Sequence, residues 1–180
     1  ASFREPAIMR VLYEAGADPT LTNEAEYRRG RERADRENPS PPEIVGGFAS
    51  PVHAAVTGDS TRQRYYVQAN PDPVGEEQRE LEAVRVAIDH GVNFNDTDFT
   101  GSAPIHDAAA RNLATIVREL AERGADINAT DSQGRTPLDL AIIAERRMGL
   151  GILAQETPEY AGPTARAVLE NLGAVPAEQL

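Results

Sequence analysis

The sequence of 180 residues contains no cysteine, lysine or tryptophan, and only 5% of its residues are aromatic. Without cysteine, disulfides, thiolate catalysis and cysteine-based zinc sites are excluded. No uncharged apolar run approaches the roughly 20 residues that a membrane-spanning helix needs, so we expect no membrane insertion by this chain. The formal net charge is −11. Because non-specific nucleic-acid binding depends on basic surface, we expect no nucleic-acid partner.

All 18 basic residues are arginine. We interpret this exclusive use of arginine mainly as codon bias from a GC-rich genome, which indicates a bacterial source. The sequence does not choose between the cytoplasm and an exported or periplasmic location.

A segment of this chain occurs twice, 33 positions apart. Residues 101–109 read Gly-Ser-Ala-Pro-Ile-His-Asp-Ala-Ala, and residues 134–141 restart the frame with Gly-Arg-Thr-Pro-Leu-Asp-Leu-Ala. A period of about 33 with a Thr-Pro-Leu-His-x-Ala core is typical of ankyrin repeats, each a β-turn and two helices. The chain therefore resembles the ankyrin repeat family. This resemblance implies an all-α solenoid of helix–turn–helix repeats with β-turn or hairpin connections, about four in number, the first one incomplete.

Long insertions interrupt this regular frame. Pro104 to Gly124 spans 20 positions in the regular repeat, whereas Pro51 to Gly91 spans 40. The predicted division begins with an incomplete repeat at 1–23 (second helix and exit) and a charged and proline-rich insertion at 24–46. A repeat at 47–96 with an insertion at about 58–77 follows, and then a regular repeat at 97–129. The chain ends with a C-terminal repeat at 130–175, which has an insertion at about 145–162, and a tail at 176–180.

The first repeat consists of a second helix alone. Ile8, Val11 and Leu12 share one face at i, i+3 and i+4, and without a first helix this apolar face would be exposed. Either the protein continues upstream of Ala1 or another chain covers this end. We favour the first alternative and expect the chain to be the C-terminal part of a longer array.

Proline and glycine mark the predicted helix ends. Proline at the start of a first helix loses no hydrogen bond, and Ser50 and Thr136 can cap two of these helices, whereas Ala103 cannot. A glycine after each second helix is expected to adopt a left-handed conformation. The prolines are Pro51, Pro104 and Pro137, and the glycines are Gly16, Gly91, Gly124 and Gly173.

Histidine and carboxylate residues invite a catalytic or metal-binding interpretation, which we do not favour. His53 and His106 occupy the histidine position of the family motif, where the resemblance implies a structural hydrogen bond between adjacent turns. Ser102, His106 and Asp107 are of triad types, but the last two are neighbours on a helix and face different ways. Residues 95–98 lack the glycine and distal glutamate of a calcium loop. We expect no catalytic residue, no cofactor and no metal.

In the family, turn tips and first helices line the recognition surface. The resemblance places these residues there: Phe48, Phe99, Thr100, Ser102, Asp107, Ser132, Gln133 and Arg135. Tyr65 and Tyr66, in the second insertion, either contact a partner or pin the insertion to the array, and both alternatives stay open. The insertion at 24–46 is either a solvated excursion or a partner-binding arm, and the former is favoured. A buried return loop is the simpler account of the third insertion.

The predicted function is therefore a non-catalytic protein–protein interaction module, an adaptor or an accessory subunit that binds another protein within a hetero-complex. The alternative is a C-terminal targeting or regulatory module of a longer multidomain enzyme. A third hypothesis, a small-molecule or metal receptor, has no residue that demands it.

Overall fold

The computed structural model describes residues 5–22, 49–57, 73–98, 100–149 and 163–180. These residues form seven α-helices, and no strand occurs among them. The helices are α1 (Pro6–Glu14), α2 (Pro51–Thr57), α3 (Pro73–Asp89), α4 (Pro104–Ala110), α5 (Ala114–Glu122), α6 (Pro137–Gly149) and α7 (Ala165–Asn171), followed by a 3₁₀ turn at Ala177–Gln179. Within the described ranges, no helix is long and apolar enough to cross a bilayer.

The helices form two stacked layers. The first helices α2, α4 and α6 contact one another in chain order, and the second helices α1, α3, α5 and α7 do the same. Each first helix also packs on the second helix of its own repeat, in the pairs α2–α3, α4–α5 and α6–α7. This architecture is an ankyrin-type solenoid, and it confirms the predicted fold class.

The core runs between the layers because each helix is apolar on its inward side. In the first helices the residue after proline is almost fully buried, as are the alanines one turn later. These residues are Val52, Ile105, Leu138, Ala55, Ala108, Ala109 and Ala141. Small side chains let neighbouring first helices approach closely, while Ile116, Val117 and Leu120 of α5 fill the space between the layers.

The predicted helix caps are present. The backbone N–H of His53 donates to Ser50 Oγ at 3.4 Å, and that of Asp139 donates to Thr136 Oγ1 at 3.3 Å. Ala103 begins α4 without a side-chain cap. All four glycines that follow second helices have positive φ, between 83° and 97°.

Two helices extend into segments assigned to insertions. The second helix of the second repeat begins at Pro73, inside the predicted insertion at about 58–77, because proline at its first turn precedes a run of good helix formers. Helix α6 runs on to Gly149, almost twice as long as α2 or α4. Part of each insertion therefore lengthens a helix.

Ion pairs link the second helices α3 and α5. Arg85 of α3 donates to Glu119 Oε2 of α5 with Nε at 2.9 Å and Nη2 at 2.6 Å. Arg123, directly after α5, donates through Nη1 to Asp89 Oδ1 of α3 at 2.6 Å. The hydrogen bonds from Arg85 hold the pKa of Glu119 below its usual value. These ion pairs help to fix the position of one repeat relative to the next, although exposed ion pairs contribute little to stability.

We predict that Gly124→Ala lowers the free energy of unfolding by about 1 kcal/mol, because φ at this position is 97°. A Cβ there would meet no atom within 4 Å, so the cost comes from the backbone conformation alone. Urea denaturation measures it. Arg118→Ala, at an exposed position of α5, is the control. Equal midpoints for Gly124→Ala and the parent chain would refute the prediction.

Candidate interaction surface and the histidine links beneath it

Two buried histidines connect each turn to the next. His53 Nε2 lies 2.9 Å from the carbonyl oxygen of Ser102, and His106 Nε2 lies 3.0 Å from that of Ala129. The other ring nitrogen accepts from a backbone N–H at 3.2 Å, that of Ser50 in one case and of Ala103 in the other. Each neutral ring therefore donates through Nε2 and accepts through Nδ1. The hydrogen bonds between turns that the resemblance implied are present.

This arrangement makes both histidines poor acid–base groups. Burial lowers the pKa of His53 and His106, which favours the neutral ring at physiological pH. Protonation of Nδ1 would place a donor against the backbone N–H that now donates to it. Because both nitrogens of His106 are occupied, Ser102 and His106 do not form a nucleophile–base pair.

The fourth repeat has Asp139 at the histidine position. Asp139 Oδ2 accepts from the backbone N–H of Thr136 at 2.9 Å and from that of Ala177 at 3.1 Å. The hydroxyl of Thr136 lies 3.1 Å from the carbonyl oxygen of Val175. A carboxylate and a threonine hydroxyl together replace the histidine link and hold the C-terminal segment.

Two aspartates organise the turns above these links. Asp98 Oδ1 accepts from the N–H of Thr100 at 2.8 Å and from that of Ser102 at 3.1 Å. Asp131 Oδ1 accepts from the N–H groups of Gln133 and Arg135, each at 2.9 Å. Aspartate side chains that accept from the backbone two residues further on are typical of tight turns. The two turns thus have one construction.

The adjacent turns are also joined to each other. The backbone N–H of Ser132 donates to the carbonyl oxygen of Thr100 at 3.1 Å. Gly101 has φ of 75°, and a Cβ there would lie 2.8 Å from the Ser132 nitrogen. Glycine at 101 therefore allows the close approach that places the two turn tips side by side.

The residues predicted for partner contact differ in exposure. Thr100, Ser132 and Gln133 are exposed at the turn tips. Arg135 is partly exposed, and its Nε and Nη2 donate to Asp131 Oδ2 at 2.8 and 2.6 Å. Ser102 is 8% exposed, and its carbonyl oxygen accepts the hydrogen bond from His53 beneath the surface. Phe48, Tyr65, Tyr66 and Phe99 lie outside the described residues.

Asp107 is half-buried on α4 and has an unusual protonation equilibrium. Burial raises its pKa to about 7, with a further contribution from Asp98, while Arg111 opposes the shift. Arg111, one turn further along α4, donates to the backbone oxygen of Val56 and, at 3.2 Å, to Glu80 Oε1. The guanidinium nearest in sequence is therefore directed away from Asp107.

Sequence reasoning missed the role of Asp98 and Asp131. Their signal was an aspartate three residues before a turn glycine, repeated with the 33-residue period at Gly101 and Gly134. Within the described ranges, no group of three or more histidine or carboxylate side chains could hold a metal ion. The candidate surface therefore consists of turn tips whose backbones are held by hydrogen bonds to aspartate and histidine side chains.

Repeating helix pairs joined by hydrogen-bonded turns define a helical repeat protein. The family model for ankyrin repeats in many copies matches residues 81–141. This segment contains most of α3, both helices of the regular repeat and the start of α6, which is where the turns and the His106 link lie. Over residues 81–141, sequence and fold agree in their similarity to ankyrin repeats.

Similar proteins come from a virus and from animals. An ankyrin repeat protein of fowlpox virus is 40% identical over 74 residues, which cover 41% of this chain and 39% of that protein. Human fem-1 homolog A is 34% identical over 99 residues, covering 55% of this chain and 14% of that protein. The mouse B-cell lymphoma 3 protein homolog is 34% identical over 77 residues, covering 43% and 16%. The match spans less than half the length of each relative.

We predict that Asp107→Asn stabilises the array, and more so at pH 8 than at pH 4. The pKa of Asp107 is higher in the folded chain than its ordinary value of 3.8. The folded state therefore retains the proton that the unfolded state loses, and stability falls as pH rises from about 4 to 7. The expected gain at pH 8 is about 2 kcal/mol, measured by urea denaturation.

The matched control is Glu122→Gln, which neutralises an exposed carboxylate on α5. A gain for Asp107→Asn that is equal at both pH values would contradict the assignment. Burial of His53 and His106 acts in the opposite sense, since their lowered pKa makes stability fall as pH drops below about 6.5.

Proposed function

We propose that the chain is a non-catalytic protein–protein interaction module that binds another protein through its turn tips and first helices. The observation that carries the proposal is the backbone hydrogen bond from Ser132 to Thr100, which joins two exposed tips. Stacked repeats use such extended surfaces for recognition. The proposed role is that of an adaptor or accessory subunit in a hetero-complex.

Rigidity of the tips supports this proposal. Asp98 and Asp131 hold the turn backbones before any partner arrives, and the histidine links hold the turns from below. A surface ordered in advance loses little conformational entropy on binding. Ser132 and Gln133 then offer hydroxyl and amide groups to a partner, and the Thr100 hydroxyl, which donates to Asp98 Oδ1 at 2.6 Å, can still accept a hydrogen bond.

Aromatic residues complete the proposed contact set. Phe99 lies between Asp98 and Thr100 in sequence, and Phe48 lies near the start of the second repeat. Aromatic side chains contribute strongly to interface energy, so both are proposed contacts. Tyr65 and Tyr66 are proposed either as contacts or as anchors of their insertion. Ser102 is proposed to support the tip from beneath through its backbone. Asp107 and Arg135 are proposed contacts through their partly exposed charged groups.

A non-catalytic role is supported by how the polar side chains are used. His53 and His106 have both ring nitrogens in structural hydrogen bonds, and Asp98, Asp131 and Asp139 each accept from turn or cap N–H groups. These groups are bound to the backbone of the fold. None of them is arranged as an acid–base pair.

The second candidate is a targeting or regulatory array within a longer multidomain enzyme. It is favoured by the lengths of the relatives, since the matched part is 14% of human fem-1 homolog A and 3% of a zebrafish neurogenic locus notch homolog. A bacterial source and position in a longer array stay predictions. The relatives quoted are viral and animal proteins.

We predict that Phe99→Ala combined with Gln133→Arg weakens partner capture about tenfold, because hot-spot contacts concentrate binding energy. Tagged parent and variant chains would be used for affinity capture from the native source, with quantitative mass spectrometry of the bound proteins. Arg135 is unsuitable for charge reversal, since its guanidinium supports the turn through Asp131.

The matched control is Arg118→Glu combined with Glu122→Arg, two exposed changes on α5 that leave the net charge as it is. A specific partner is one that the parent and control chains retain and the tip variant loses. Equal capture by all three chains would reject the turn-tip surface.

A further inference from the structure

The carboxyl group of Asp107 is not used by the fold in the way that other aspartates are. Asp98, Asp131 and Asp139 each accept backbone hydrogen bonds at a turn or a helix start. Asp107 is half-buried on α4, and among the described residues none forms a hydrogen bond or an ion pair with its carboxyl group. A charged group on the first-helix layer is thus left for an external contact.

The face that carries Asp107 has an excess of negative charge. Residues 92–111 and 125–143, which contain the two turns, α4 and the first two turns of α6, include six aspartates and two arginines. The two arginines, Arg111 and Arg135, are paired with other carboxylates. In this part of the chain, no described cation is directed to Asp107, and charge complementarity calls for a basic group from outside.

The neighbours of Asp107 along the first-helix layer are apolar. Ala54 of α2 and Leu140 of α6 occupy the equivalent position, three residues after the proline that begins each helix, and α4 contacts both of these helices. Ile143, one turn after Leu140, is half-buried. Arginine buries its aliphatic stem on apolar surface while its guanidinium reaches a polar group. The guanidinium is also less strongly hydrated than an ammonium group and can pair with a carboxylate through two hydrogen bonds.

We propose that Asp107 binds an arginine side chain of the partner protein, whose stem lies on Leu140 and whose guanidinium pairs with the Asp107 carboxylate. This inference rests on the proposed function and adds the chemistry of the partner, which presents a basic segment to the first helices. Burial raises the pKa of Asp107 to about 7, so a bound guanidinium displaces the proton and binding strengthens as pH rises through that value.

Charge favours a partner protein over the insertions of this chain or a second copy of it. The insertion at 24–46 has five arginines and six carboxylates, that at 58–77 has two and four, and that at 145–162 has two and three. Each insertion is therefore net negative, and a second copy carries −11. Complementary potentials guide association, whereas like charges oppose it. None of these segments brings net positive charge to an acidic face.

The test uses N-acetyl-arginine N-methylamide, a probe whose guanidinium is its only charge. Titrated into the isotope-labelled chain, it should shift the amide resonances of α2, α4 and α6 in a saturable way, with a Kd of about 10 mM. The matched probe is the citrulline analogue, which has the same length and a neutral urea group. Equal shifts with both probes, no saturation, or tighter binding of the lysine analogue would overturn the proposal.

Asp107→Asn keeps the size of the side chain and removes its charge. We expect this variant to bind the arginine probe about tenfold more weakly, because a charge-assisted hydrogen bond becomes a neutral one. The control is Glu122→Gln, which neutralises an exposed carboxylate on α5 and should leave Kd unchanged. The same loss in both variants would assign the binding to overall negative charge and contradict a site at Asp107.

The protonation of Asp107 gives a second readout, which carboxyl-carbon NMR measures directly. Because the guanidinium pairs with the ionised carboxylate, the probe at about twice its Kd should lower the pKa of Asp107 by about half a unit. An unchanged pKa would contradict direct contact. A pKa below the ordinary 3.8 without any probe would show that a cation of this chain already occupies the site, which also overturns the proposal.

Partner capture separates this inference from the proposed function. Asp107→Asn is compared with the parent chain and with the turn-tip variant, Phe99→Ala combined with Gln133→Arg. A partner that the turn-tip variant loses and Asp107→Asn retains would support the proposed function and overturn the arginine contact. Equal capture by all three chains, with the arginine probe still bound at Asp107, would reject the proposed function and keep the arginine site.

Discussion

Hydrogen bonds from buried histidine rings to the next turn determine where successive repeats lie. His53 and His106 each use one nitrogen within their own repeat and the other on a carbonyl oxygen of the following turn. Leaving either buried carbonyl without a donor would cost about 1–3 kcal/mol. The link therefore requires a neutral ring and a turn at a constant distance, which together require the constant period.

This constraint explains where the chain tolerates extra residues. The insertion between α2 and α3 leaves the His53 link and the α2–α3 packing in place. Loop closure entropy grows slowly with length, so 20 extra residues cost little more than a few. An insertion between residues 98 and 106 would instead separate the turn from the helix that it positions.

Much of the fold could be predicted from the sequence because the same proline and glycine signals recur from repeat to repeat. The prolines predicted where the first helices begin, and the glycines predicted where the second helices end. The start of α3 and the end of α6 could not be located in this way, since a helix that outgrows its repeat no longer follows the periodic signal. There the local preference of helix formers after Pro73 decides.

The candidate site was less predictable for a physical reason. The family pattern indicates which positions reach the tips, but it does not show which of those side chains are buried or hydrogen-bonded within the fold. Ser102 and Arg135 belong to this group, because one is buried in the His53 link and the other is paired with Asp131. Burial and hydrogen bonds separate these two residues from Ser132 and Gln133, while the exposed Thr100 also donates its hydroxyl to Asp98 Oδ1 at 2.6 Å.

The distribution of polar groups bears on function as well as stability. Asp98, Asp131 and Asp139 accept backbone donors, so folding alone accounts for them. Asp107 differs, since its half-buried carboxyl has a pKa of about 7 and the neighbouring Arg111 is directed to Val56 and Glu80. Burial thus raises the pKa of one carboxyl on a first helix, next to the turn tips, which is where the proposed partner surface lies.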